Sequence, residues 1–193
     1  MPTFVLATHN FHKVEEFTAI ISQSIPDIDI RSYNGPEPTE DGVSFAENAL
    51  IKARAATQHT GLPALADDSG ICVDVLGGAP GIFSARWAGS RKDDAANVAL
   101  LLDQLSDVPG EKRSAHFTCA IAVVYPEGRE FVVEGVWPGH IAHEVRGEHG
   151  FGYDPIFIPE GLDLSAAQLD PEHKNSLSHR ARALQMLAER LEQ

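Results

Sequence analysis

The spacing of apolar residues changes within the first twenty positions of the chain. The segment TFVLA (residues 3–7) is a short, continuous apolar run, which predicts a β-strand. After the polar loop THNFHK, the residues Val14, Phe17, Ile20 and Ile21 recur at helical spacing. We therefore predict a strand, a loop and a helix, with the loop at the helix N-terminus.

A second helix is predicted by its capping residues. Ser44 and Glu47 have the Ser-x-x-Glu spacing of a capping box and stand before an alanine-rich segment. Gly61 and Pro63 follow that segment and are typical of a helix end. The helix should run from this cap to about His59.

The run LPALADDSGICVDVL is apolar except for two neighbouring carboxylates, Asp67 and Asp68. Asp-Ser-Gly is favourable turn chemistry, so residues 64–66 and 71–76 are predicted to be the strands of a hairpin. A turn explains the residues from Asp68 onward. It does not explain Asp67, because a carboxylate at the end of a buried strand needs a partner, a proton or a metal ion.

The second half of the chain contains both helix-like and strand-like patterns of apolar residues. Val98, Leu101, Leu102 and Leu105 predict a helix, and HFTCAIAVVY with REFVVEGVW predicts a hairpin. GFGYDPIFIP reads as a turn leading into a short strand, and a last helix should start near Ser178. The hairpins exclude a purely parallel sheet, so we predict an α/β fold with a mixed central sheet flanked by helices.

Composition restricts the class of protein. A chain of 193 residues fits one domain, here residues 1–193. The formal charge of −13 argues against a nucleic-acid polymer as partner but permits one nucleotide held with Mg²⁺. The N-terminal residues show neither a signal peptide nor a membrane helix, and Cys72 and Cys119 lie in apolar runs, so we expect a cytoplasmic protein without a membrane partner.

The loop THNFHK could bind an anion. Thr8, Asn10 and Lys13 supply a hydroxyl, an amide and an ammonium group where free N–H groups and the helix dipole favour phosphate. The alternative is a helix cap with a solvated lysine. The loop matches neither of the common phosphate-loop patterns, so the residues alone do not decide between these interpretations.

Carboxylates precede the capped helix. Glu47 lies in its first turn and is assigned to the helix dipole. Glu40 and Asp41 stand outside the helix, and Glu40 could meet Asp67 and Asp68 to form the sparse carboxylate set that holds Mg²⁺. The adjacent Asp41 leaves this choice ambiguous by one residue.

Two further groups are candidates for contacts with a base and with phosphates. Phe151 and Tyr153 flank a glycine in GFGYDP, where aromatic rings can stack on a base or simply anchor the loop. Lys174, His179 and Arg180 are predicted at the start of the last helix, opposite its apolar stripe. The alternative for these three is a solvated basic patch.

Taken together, the motifs resemble those of a known family. ATHNFHKxxE, SFAENAxxKA, ALADDSGxxVDxLGGAPGIxSAR, GFGYDPIF and SHR resemble, in order, those of the inosine triphosphate pyrophosphatases, also called dITP/XTP pyrophosphatases. The resemblance implies hydrolysis of the α–β phosphoanhydride of ITP, dITP or XTP with Mg²⁺. It also implies two lobes around a substrate cleft and a homodimer.

The resemblance assigns roles to individual residues. Asp68 and Asp67 would be catalytic, with Asp68 as base, and Glu40 and Asp68 would bind the metal ion. The implied substrate contacts are Thr8, His9, Asn10, Phe11, His12, Lys13, Ser69, Phe151, Gly152, Tyr153, Asp154, Lys174, His179 and Arg180.

One departure and several alternatives accompany this interpretation. His9 and His12 stand where the family commonly has glycines, so they could add phosphate contacts or a mild pH dependence. The alternatives are a pyrophosphatase for other nucleotides, a non-catalytic nucleotide-binding regulator, and a metal-dependent phosphomonoesterase.

Overall fold

The computed structural model describes residues 3–24 and 28–191. The strands in this part of the chain are β1 (Thr3–Leu6), β2 (Asp29–Ser32), β3 (Ala64–Val73), β4 (Ser114–Val124), β5 (Glu130–Ile141) and β6 (Phe157–Pro159). The α-helices are α1 (Phe11–Ser24), α2 (Phe45–Thr60), α3 (Asp94–Gln104), α4 (Pro171–Leu177) and α5 (His179–Leu191).

These strands form one mixed sheet in the order β2-β1-β3-β4-β5-β6. β1 runs parallel to both β2 and β3, whereas β5 runs antiparallel to β6. The predicted α/β fold with a mixed sheet is confirmed. Within the described ranges, no helix is both long and apolar enough to cross a membrane.

The predicted cap of α2 is present, and α1 also begins with a side-chain cap, which was one of the two interpretations of the loop THNFHK. The Asn10 side-chain oxygen accepts a hydrogen bond from the Lys13 backbone N–H, which caps α1. The Ser44 hydroxyl accepts from the Glu47 N–H, while the Glu47 carboxylate accepts from the N–H of Val43, one residue before the cap. These bonds fix where both helices begin.

The predicted hairpin at Asp-Ser-Gly is wrong. β3 runs without a break through residues 67–70, and the first turn comes later, in a 3₁₀ turn at Asp74–Leu76. β3 lies between β1 and β4, and its residues are buried apart from the half-buried Ser69. Burial of the strand within the sheet outweighs the local turn preference of these residues.

The chain divides into two compact units. Unit 1 comprises Met1–Asp68, Cys119–Gly135 and His179–Gln193, and unit 2 comprises Ser69–Thr118 and Val136–Ser178. The prediction of a single catalytic domain stays a prediction.

The core of unit 1 has two layers because side chains alternate along each strand. Phe4, Leu6 and Leu65 pack with residues of α1 and α5, including Phe17 and Leu184. The intervening strand positions pack with α2; they are Val5, Ala7, Ala64 and Ala66. The small residues of that second layer let the Ala49, Ala53 and Ala56 face of α2 approach the strands.

Unit 2 has its own aromatic core. The Phe117 and Phe157 rings meet edge to face with centroids 4.7 Å apart, and Trp137 lies 5.3 Å from Phe157. Tyr153 belongs to the same buried cluster as Leu101 of α3. The cluster supports the loop that precedes β6.

The basic residues near the C-terminus differ from their predicted placement. Lys174 lies on the separate helix α4, not at the start of the last helix. Lys174, His179 and Arg180 are 4%, 5% and 2% exposed, so the alternative of a solvated basic patch is wrong. β5 approaches the start of α5 closely: a Cβ on Gly135 would lie 2.2 Å from the His179 carbonyl oxygen.

Candidate active site

The side chains of the two neighbouring aspartates of β3 lie on opposite faces of the sheet in unit 1. Because side chains alternate along a strand, Asp67 follows Leu65 onto the face covered by α1 and α5. Asp68 follows Ala66 onto the face covered by α2. Each carboxylate therefore has a different nearest cation, Lys13 for Asp67 and Lys52 for Asp68.

Asp67 is paired with two cations. Its Oδ2 lies 3.1 Å from the Lys13 Nζ and 3.7 Å from an Arg180 guanidinium nitrogen. The Asp67 and Arg180 side chains are only 1% and 2% exposed. Burial of a carboxylate is tolerable with such partners, and the contacts link β3 to α1 and α5.

Asp68 is less completely paired. Its Oδ1 lies 3.4 Å from the Lys52 Nζ, whereas its Oδ2 is buried without a hydrogen-bond partner among the described residues. Burial raises the pKa of Asp68 above its ordinary value, although Lys52 and Lys13 act to lower it. Asp68 thus presents a buried oxygen that can accept a proton or a ligand.

Lys52 of α2 connects the carboxylates. Its Nζ lies 3.2 Å from the Glu40 Oε2 as well as 3.4 Å from Asp68. Burial alone would lower the pKa of Lys52, but Asp67, Asp68 and Glu40 raise it and the net change is upward. The lysine is therefore held in its charged form.

No role was predicted for Lys52, although its position in the sequence indicates one. Lys52 lies three and four residues from Ala49 and Ala56, which are fully buried on the same helix. A lysine on the buried side of a helix needs a charged partner.

The carboxylates fit a weakly coordinated divalent ion. No three carboxylate, imidazole or thiol groups within residues 3–24 and 28–191 come together as a complete metal site. Mg²⁺ is usually held by one or two carboxylates, with the remaining positions filled by water and substrate phosphates. The unpartnered Asp68 Oδ2 and the 40% exposed Glu40 side chain meet that requirement, and the contact with Lys52 favours Glu40 over Asp41.

The loop before α1 combines a cap with exposed polar groups. The Thr8 hydroxyl accepts a hydrogen bond from the Asn10 N–H, and Asn10 caps the helix. His9 points to Glu37, with its Nδ1 3.0 Å from a carboxylate oxygen. The side chains of Phe11 and His12 lie outside the described residues.

The conformation of the glycine-rich loop of unit 2 is stabilised by hydrogen bonds to Asp154, a residue of the loop itself. The Asp154 Oδ2 accepts hydrogen bonds from the Phe151 N–H at 3.0 Å and the Lys174 ammonium at 2.7 Å. A Cβ on Gly150 would lie 2.1 Å from the same oxygen, and Gly150 has a φ of +73°. Glycine is therefore required here on both steric and conformational grounds.

The two aromatic rings of this loop have different surroundings. The Tyr153 ring is buried and its hydroxyl donates to the Ser84 carbonyl at 2.6 Å. Burial, with a contribution from Asp94, raises the pKa of Tyr153. The half-buried Phe151 ring has the Lys174 ammonium 5.2 Å from its centroid, so Phe151 is the better placed of the two for stacking on a ligand.

A family model described as the Ham1 family matches residues 4–190. The chain belongs to the Ham1 family. Its fold agrees with a HAM1 protein from Coxiella burnetii, at a TM-score of 0.89 and 42% identity, with 100% of this chain and 99% of that chain covered. The Staphylococcus aureus Ham1 protein matches at a TM-score of 0.88 and 39% identity over 98% of each chain.

Curated Ham1 relatives carry the name dITP/XTP pyrophosphatase. The protein of that name from Leifsonia xyli is 63% identical over 95% of this chain and 92% of its own length. One from Pseudomonas aeruginosa is 51% identical over 97% and 95%, respectively. The family resemblance recognised from the motifs is confirmed.

The Ham1 chain thus brings eight of the predicted site residues into two groups. In unit 1, contacts join Lys13, Glu40, Asp67, Asp68 and Arg180, together with Lys52. In unit 2, contacts join Phe151, Asp154 and Lys174. Ser69 follows Asp68 on β3 and is half-buried, and His179 is buried at the start of α5.

Proposed function

We propose that this Ham1 protein hydrolyses the α–β phosphoanhydride of deaminated purine nucleoside triphosphates, namely ITP, dITP and XTP. The products would be the nucleoside monophosphate and pyrophosphate. The observation that carries the proposal is the Asp68 carboxylate, which lies beside Lys52 and has one buried oxygen that no described residue hydrogen-bonds. The names of the relatives at 63% and 51% identity support the choice of substrates.

The balance of charge in the unit 1 group supports a metal-dependent reaction. Three cationic side chains, Lys13, Lys52 and Arg180, contact three carboxylates: Asp67, Asp68 and Glu40. Little positive charge is left over for a triphosphate, which brings several negative charges. Mg²⁺ held by Glu40 and Asp68 would supply that charge and stabilise the phosphate oxygens in the transition state.

Phosphoryl transfer mainly requires positioning and charge stabilisation from the protein. The Asp68 Oδ2 would orient the attacking water and accept its proton, for which a raised pKa is favourable. Lys13 would contact the triphosphate, with Thr8 and Asn10 beside it. Asp67 and Arg180 would keep the Lys13 ammonium in place through their buried contact.

The glycine-rich loop of unit 2 is proposed to bind the base. Phe151 would stack on the purine, and Lys174 and Asp154 would hold the loop in its conformation. Inosine and adenosine differ by an oxo against an amino group at position 6, so selectivity needs a donor that the amino group would leave unpaired. A backbone N–H, His179 or Arg180 is the proposed donor.

The remaining assignments rest on the family resemblance. We propose that residues 1–193 act as one catalytic domain. We also propose that the protein is a cytoplasmic homodimer without nucleic-acid or membrane partners.

The catalytic assignment is tested by Asp68→Asn, with Asp29→Asn as a matched control. Both changes replace a carboxylate by an amide in unit 1. Unlike Asp68, Asp29 lies at the start of β2, where it contacts Thr3 and Arg31. Formation of dIMP from dITP with Mg²⁺ should fall at least about a thousandfold in Asp68→Asn and stay within about twofold in Asp29→Asn.

Circular dichroism shows whether each variant is folded. Near wild-type turnover by folded Asp68→Asn would contradict the proposal. Binding of dITP without turnover by the wild-type protein would instead support a nucleotide-binding regulator. Release of phosphate rather than pyrophosphate would support a phosphomonoesterase.

A further inference from the structure

We propose that His9 is a positioning residue that couples the phosphate-binding loop to the segment carrying Glu40. The inference rests on the proposed function, because it assumes that Thr8–Lys13 bind phosphate. It concerns a side chain that stands where the family pattern commonly has glycine.

The His9 side chain makes two directed contacts. Its Nδ1 lies 3.0 Å from the Glu37 Oε1. Its ring stacks on Tyr33, with centroids 5.7 Å apart and an interplanar angle of 10°. The neighbouring residues Thr8 and Asn10 bond locally within the loop and to α1. His9 therefore connects this loop to the segment 33–37.

The segment 33–37, which contacts the imidazole, is itself held in place by packing and a hydrogen bond. Tyr33 is 5% exposed and belongs to the core layer under α2. Its hydroxyl donates to the Pro36 carbonyl at 2.9 Å. A Cβ on Gly35 would lie 2.3 Å from the Tyr33 hydroxyl oxygen, so the chain folds tightly back over the ring. A ligand-induced shift of His9 would thus be transmitted to this segment.

Glu40 follows Glu37 by three residues and contacts Lys52, which also contacts Asp68. The imidazole therefore links the loop proposed for phosphate to the carboxylates proposed for the metal ion. An exposed imidazole–carboxylate contact alone contributes little, but its combination with a stacked ring supports a measurable coupling.

Two substitutions separate the contacts. His9→Phe keeps a ring on Tyr33 but loses the pair with Glu37, and His9→Ala loses both. His59→Ala is the matched control, because His59 meets the same Tyr33 ring edge-on at 5.9 Å without belonging to the loop. We expect the Mg²⁺ concentration for half-maximal activity to rise about fivefold to tenfold in His9→Ala and less in His9→Phe. It should change by less than about twofold in His59→Ala.

A second readout needs no turnover. Inorganic pyrophosphate is titrated into ¹⁵N-labelled protein, and the amide resonances of residues 8–13 and of the non-proline residues in 35–41 are followed by NMR. In the wild type both sets should shift together. In His9→Ala the first set should still shift, and the shifts of residues 35–41 should be largely lost.

The outcomes separate the two proposals. Equal shifts of residues 35–41 in wild type and His9→Ala, with unchanged Mg²⁺ dependence, would overturn the coupling and leave the proposed function standing. No shift of residues 8–13 in the wild type would overturn both, because the loop would then not bind phosphate.

Discussion

The different surroundings of Asp67 and Asp68 predict opposite consequences for the same substitution. Asp67→Asn keeps the shape of the side chain but removes the charge that faces Arg180, which is 2% exposed. Loss of one partner of a buried ion pair typically costs 3–5 kcal/mol. The lower end applies here because the contact with Arg180 is 3.7 Å long and the other partner, Lys13, is 18% exposed.

We therefore expect Asp67→Asn to lower the free energy of unfolding by about 3 kcal/mol. With a urea dependence of about 2 kcal/mol per molar, the midpoint of unfolding should fall by about 1.5 M. The assay is equilibrium urea unfolding at pH 7, followed by circular dichroism.

Asp68→Asn should behave differently. The pKa of Asp68 is raised by burial, so its ionised form is disfavoured in the folded state. A buried acid with a raised pKa costs stability as the pH rises through its ordinary pKa towards the raised one, and the full cost is present above the raised pKa. Removal of that charge offsets the lost contact with Lys52, which keeps Glu40 as partner. The stability should change by less than about 1 kcal/mol, or rise.

A change of less than about 0.5 kcal/mol in Asp67→Asn would refute this reasoning, because it would mean that the pair with Arg180 and Lys13 contributes no more than an exposed one. Equal destabilisation by both substitutions would also refute it. The two aspartates would then not have the distinct roles that their opposite faces imply.

Three further substitutions test other contacts. Lys52→Met should lower kcat/KM for dITP about a hundredfold or more, because Glu40 and Asp68 lose their shared cation, and a near wild-type value in steady-state kinetics would contradict this role. Gly150→Ala should lower stability by about 1–3 kcal/mol and raise KM, because a Cβ at a φ of +73° would displace Asp154; an unchanged melting temperature and KM would be inconsistent with that clash. Arg54→Ala should cost less than about 1 kcal/mol at pH 7. Its hydrogen bond lowers the pKa of Glu130, so the contribution is present above the ordinary glutamate pKa and is lost as the pH falls through the lowered value. A difference from wild type in urea unfolding that grows towards acid pH would show the opposite sign.

Periodicity and capping predicted the regular elements well because these signals are local. The spacing of Val14, Phe17 and Ile20 matches the face of α1 that packs against the core, and Ser44 caps α2 as expected. Each signal depends on residues within a few positions of one another, which helix geometry brings together without tertiary information.

β3 and the basic residues near the C-terminus could not be predicted in this way. Asp-Ser-Gly favours a turn locally, but burial within the long strand β3 keeps it extended. From the sequence alone, Arg180 could equally well be a solvated cation. In the structure it contacts Asp67, which lies 113 positions away in the sequence. Such pairings depend on the tertiary fold, so a single sequence leaves them open.

The site itself was predicted as residue types rather than as contacts. Asp68, Glu40 and Lys13 were identified from motifs, whereas Lys52 was overlooked because it stands inside an alanine-rich helix. Side chains alternate along β3, so the two adjacent aspartates face different helices.

The most direct test of the proposed function identifies both the substrate and the bond that is cleaved. The protein is incubated with Mg²⁺ and dITP, with dGTP and dATP in parallel, and pyrophosphate and phosphate are assayed separately. The proposed function predicts pyrophosphate from dITP in strong preference to dGTP and dATP. Phosphate as the product, or equal pyrophosphate release from all three nucleotides, would contradict it.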